Sequence, residues 1–70
     1  MTQDKPVNRA TDYLMTLLLQ RLESSKPGLI QELLDGVLAD TKAVATAGDM
    51  TPDVEETFTV ARSILERARG

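Results

Sequence analysis

The sequence predicts an all-α protein, a small three-helix up-down-up bundle that associates into a larger helical bundle. Three observations lead there. Large apolar residues recur at three- and four-residue spacing over most of the chain, the signature of amphipathic helices. Two clusters of helix-breaking residues, Ser24 to Gly28 and Ala47 to Pro52, divide that pattern into three segments. The apolar content is aliphatic: Tyr13 and Phe58 are the only aromatic residues. Leucine, valine and alanine suit packed helices better than sheets, which favour aromatic and β-branched side chains.

Residues 1–5 are polar and precede Pro6, so a loose tail is expected there. The first helix is predicted over about 7–24. Pro6 can open it, because the N–H it lacks would have no partner in a first turn, and Asn8 is a competing cap. The serines and Pro27 end it, since proline pushes Lys26 out of the helical region.

A second helix is expected over 27–47, with Pro27 as its first residue. Leu29, Ile30, Leu33, Leu34, Val37, Leu38 and Val44 share one side, and Gln31, Glu32, Asp35 and Lys42 the other. Gly36 interrupts this face at a cost of about 1 kcal/mol relative to alanine. Gly48 fits a left-handed cap, and Thr51-Pro52 reads as an N-cap followed by a first helical residue. The third helix, over 52–69, is predicted to bury Val54, Phe58, Ala61, Ile64, Leu65 and Ala68. Its acids come first and Arg67 and Arg69 last, the order the helix dipole prefers. Short connections make neighbouring helices antiparallel, within one domain spanning residues 1–70.

The first helix carries an excess. Tyr13, Leu14, Met15, Leu17, Leu18, Leu19 and Leu22 cover an arc of about 240°, against somewhat over 100° for an ordinary surface helix. Leu14 and Leu18 lie at its centre, which points them at the core and leaves Met15, Leu19 and Leu22 as the surplus flank. Each such side chain forgoes about 1.5–3 kcal/mol if it stays in water. A single core of this size supplies only about 3–5 kcal/mol, so the surplus weighs heavily. A docking surface of Tyr13, Met15, Leu19, Arg21 and Leu22 is therefore expected, meeting a second copy or another protein. Arg21 falls inside the apolar arc, between Leu14 and Leu17, where it can cap the helix end or pair with an acid such as Asp40.

Composition narrows the function classes. The chain has no cysteine and no histidine, which removes disulfides, thiolate metal sites and the common nucleophile–base pairs. Glu32 with Asp35, and Asp53 with Glu55 and Glu56, lack the alternating spacing of a calcium loop. The four glycines form no phosphate-binding loop. No catalytic residue, metal, cofactor or small-molecule substrate is expected. A net charge of −3 argues against a chain that mainly neutralises phosphates. Arg62, Arg67 and Arg69 leave an alternative, a trihelical nucleic-acid reader using its last helix, although Glu55, Glu56 and Glu66 share that helix. No segment reads as a signal or a membrane span, so a cytoplasmic protein-binding module is the expectation.

Overall fold

Three helices account for most of the chain, and the two connections between them are each built on specific backbone hydrogen bonds. The computed structural model describes residues 6–70, with helices α1 (Pro6–Ser25), α2 (Leu29–Ala47) and α3 (Pro52–Arg69). The tail expected over 1–5 lies outside the described residues. Among the described residues there is no strand.

The α1–α2 connection corrects one expectation. Pro27 does not open α2; it occupies a turn. The Leu29 N–H donates to the Lys26 carbonyl at 3.1 Å, and Gly28 adopts φ 95 and ψ −6. Proline at the second position and a left-handed glycine at the third define a type II turn. That conformation strains any residue with a Cβ, which is why glycine stands at this position.

The first N–H groups of α2 then need acceptors, and the preceding helix supplies one. The Glu23 carboxylate takes the Gly28 N–H at 2.7 Å and the Ile30 N–H at 2.8 Å. These two bonds hold the Glu23 carboxyl below its ordinary range, the Ile30 bond contributing most and slight desolvation opposing. A negative charge at a helix N-terminus also complements the dipole. Nearby, Lys26 pairs with Glu32 at 3.6 Å on the exposed surface, a contact of little energetic consequence.

The second connection matches its sequence signals. Gly48 takes φ 80, its N–H donates to the Ala45 carbonyl and the Asp49 N–H to the Val44 carbonyl, both at 3.1 Å. This pair of bonds is the Schellman arrangement. Thr51 caps α3 by accepting the Val54 N–H at 3.2 Å, with Pro52 in the first turn.

The topology is up-down-up. Met15 and Leu19 of α1 lie beside Ala61, Ile64 and Leu65 of α3, so those two helices run parallel. Val37 and Thr41 lie beside Phe58 and Arg62, so α2 and α3 run antiparallel. Packing is uneven: α3 lies against both other helices, whereas α1 and α2 touch far less. They leave the turn as an open V with α3 in its mouth. The Cα envelope measures 37 × 31 × 13 Å. Three helices in a close triangle would be only about 14 Å across, given axes about 9 Å apart. The protein is a thin, splayed slab.

Its core sits where the V closes. Leu19, Ile30, Leu34, Leu65 and Ala68 are buried together, with Val37 and Ile64 packed against them. The expected faces of α2 and α3 are the ones used, although Leu33 and Leu38 remain exposed at the edges of α2. Gly36 is on the exposed side, with nothing within 4 Å of where a Cβ would stand.

Two predictions follow from these devices. Gly36→Ala should raise unfolding stability by about 0.5–1 kcal/mol, because helical φ/ψ suits alanine and the site is open; Gly28→Ala should lower it, read from the same urea melts. Because the folded Glu23 carboxyl has a lowered pKa, its contribution is complete above the ordinary carboxylate value and fades as pH falls through the folded value. Glu23→Gln should therefore be less stable than the parent at pH 7, with the gap closing in thermal melts taken at progressively lower pH below about 4.5.

Candidate functional site

The side of α1 that faces its own chain is not the leucine side. Asp12, Thr16, Leu19 and Glu23 recur at four, three and four residues, which places them on one stripe of a helix. All four are buried or half-buried. Thr16 satisfies its hydroxyl within the helix by donating to the Asp12 carbonyl at 2.8 Å. A hydroxyl bonded in this way can face a neighbouring helix without an unmet polar group. Glu23 ends the stripe on the first turn of α2.

On the opposite side, Leu14 is 61% exposed, Leu18 52% and Leu22 42%, flanked by Met15 at 41%; Tyr13, 64% exposed, stands about 140° from Leu18 around the helix, at the cleft that Arg67 borders. This reverses the rotation expected from the sequence. Leu14 and Leu18, placed at the centre of a core-facing arc, point to solvent. Leu19, placed on the surplus flank and in the docking surface, is 6% exposed and belongs to the core. Its side chain is committed to its own chain and leaves the surface set. The physical reason is that an arc of about 240° has no unique centre. The stripe carrying Glu23 must reach α2, and that decides which way the helix turns.

Of the remaining expected surface residues, Tyr13, Met15, Arg21 and Leu22 are all exposed. Arg21 makes no ion pair or hydrogen bond with another described residue, and the Arg21–Asp40 pair does not form. Among the described residues Arg21 is thus an unpaired cation beside an apolar ridge, since Leu14, Leu18 and Leu22 lie within about 100° of it on the wheel. Sequence reasoning missed Leu14 and Leu18 as surface residues. Their i, i+4 spacing with Leu22 is the signal that was present, because such a row forms a continuous ridge on a helix.

Beside the ridge runs a shallow groove between α1 and α3. Met15, Leu19, Ala61, Ile64 and Leu65 line about 270 Å³ of it, and almost no polar atom reaches its wall. The other side of the α1–α3 seam differs. There Arg9, Asp12, Tyr13, Thr16 and Arg67 line a cleft that charged side chains border, although most of its wall is apolar. The slab thus has one uncharged and one charge-bordered margin along the same helix.

The basic residues of α3 are dispersed. Arg62 lies in the α2–α3 groove, Arg67 in the α1–α3 cleft, and the Arg69 guanidinium donates to the Gln31 side chain at 2.8 Å. Arg62 and Glu66, four residues apart, make no ion pair. In that order the pair opposes the helix dipole, and it is the weaker orientation. Among the described residues, no three acidic side chains converge as metal ligands would. No described helix is long and apolar enough to cross a membrane.

No family model, curated protein or solved structure matches the chain. The fold and the surface define only a class, a small all-α protein with an apolar helix face turned outward.

This placement yields a contrast between neighbouring leucines. Under conditions where the chain is monomeric, Leu19→Ala should cost about 2–5 kcal/mol, as buried leucine truncations do. Leu18→Ala should stay within about 0.5 kcal/mol of the parent. Urea denaturation followed by circular dichroism measures both.

Proposed function

We propose that this chain is a protein–protein interaction module that docks through the outward face of α1. The surface set is Leu14, Met15, Leu18, Arg21 and Leu22, with Tyr13 exposed beyond its far margin. One observation carries the reading: α1 turns a largely polar stripe toward its own chain and its leucine ridge toward solvent. Leaving such side chains in water forgoes about 1.5–3 kcal/mol each, which association recovers. An apolar patch of a few hundred Å² is what interaction sites expose, in contrast to scattered single residues.

The recognition mode is helical. A ridge at i, i+4, i+8 beside an apolar groove suits another amphipathic helix, which would lie along α1 and fill the space next to Ile64 and Leu65. Arg21 would lie at the margin, its stem on the partner's apolar surface and its guanidinium in water. The reading assigns no catalytic role and no cofactor. The lack of cysteine suits a cytoplasmic setting.

Leu18→Glu tests it. The substitution adds a charge to an exposed position, so helicity should stay near that of the parent, and so should the thermal midpoint at concentrations where the parent is monomeric. Size-exclusion and pull-down experiments should then show the parent bound, to itself or to a stoichiometric cellular protein, and the variant at least tenfold weaker. Identical elution and identical recovery for parent and variant would remove the docking surface.

A further inference from the structure

The outward face of α1 is symmetric about its own middle. Leu14 and Leu22 stand one turn on either side of Leu18, so the ridge reads the same in both chain directions. An isologous two-fold contact requires this property, since the same patch must serve both partners. From this geometry we infer that the occupant of the docking surface is a second copy of the chain, its α1 antiparallel to the first and crossing it at Leu18. The inference rests on the docking reading above and commits it to one partner.

Three further features support a second copy. The ridge and its flanks expose roughly 500 Å² of largely apolar side chain per copy, within the range of functional patches. Pairing two of them buries at most about 1,000 Å² in total, the lower bound for a specific interface. The second feature is the groove beside the ridge, bounded by Met15, Ala61 and Ile64. A facing leucine ridge would have this groove to enter, so α1 and α3 of both copies together make a four-helix core. The third is charge. Arg21 is the only charged residue among the side chains of that face. Antiparallel pairing sets each Arg21 across from the other copy's Met15, where its stem covers apolar surface and its guanidinium reaches water at the rim.

The absence of native cysteine makes the geometry directly testable, because a single introduced thiol is unique. At micromolar concentration, sedimentation equilibrium should give twice the 7.7 kDa chain mass, and Leu18→Glu should halve it while the far-ultraviolet spectrum is unchanged. Under mild oxidation Leu18→Cys should cross-link to itself. Leu14→Cys should not, since the two copies of that position lie about 12 Å apart along the helices, beyond the reach of about 7 Å between Cα atoms. Mixing Leu14→Cys with Leu22→Cys should restore the cross-link.

A parent mass of one chain at high micromolar concentration overturns the second-copy inference. The docking reading survives that result only if Leu18→Glu still abolishes capture of a different protein. A dimer in which Leu14→Cys cross-links to itself as readily as Leu18→Cys overturns the antiparallel arrangement. Persistence of the dimer mass in Leu18→Glu overturns the assignment of this face.

Discussion

The bond from Glu23 to the first turn of α2 sets the orientation on which the rest of the molecule depends. Two backbone N–H groups at a helix start would otherwise need water or a local cap. Gly28 has no side chain to provide one, so the acceptor comes from the end of the preceding helix. Once Glu23 is pinned there, helical geometry fixes what else lies on its side of α1. Leu19 follows one turn earlier, then Thr16 and Asp12. Leu14, Leu18 and Leu22 must then point the other way, with Leu17 half-buried between.

That rotation explains why the body is thin. With a mostly polar stripe facing inward, α1 contributes a single leucine to the buried cluster, at the closed end of the V. Farther from the turn, its inward residues are Asp12 and Asn8, both polar and half-buried. Such side chains do not draw a neighbouring helix close, so α1 and α2 diverge and α3 alone bridges them. A small core and an exposed leucine ridge are two consequences of one choice of face. The groove between α1 and α3 is a third, because Met15 borders it without closing it.

Most of the fold was legible in the sequence where the signals were local. Gly48 as a left-handed cap, Thr51 with Pro52 as a helix start, and the apolar face of α3 each depend on residues within a few positions of one another. The boundary at Pro27 was harder. A proline opens a helix or fills the second position of a turn equally well, and Gly28 with its positive φ selected the turn. The site was legible only in part. An excess of apolar circumference on α1 is visible from periodicity, but its rotation is not. Glu23 reaches across a turn to the Gly28 and Ile30 N–H groups at a spacing that matches no local capping pattern, so nothing in the sequence marked it. Reading Leu14 and Leu18 as core and Leu19 as surface was the natural error for a helix apolar on both flanks.

The exposed leucine ridge depends on the orientation of α1 within a single chain. Methyl nuclear Overhauser spectra measure it most directly, recorded on mixed labelled and unlabelled protein so that contacts within a chain are separated from contacts between chains. Intrachain cross-peaks should join the Leu19 methyls to those of Ile30 or Leu65, while Leu14 and Leu18 show none to α2 or α3. Intrachain cross-peaks from Leu18 to Leu34 and Leu65, with Leu19 lacking them, would place the ridge in the core and contradict the account.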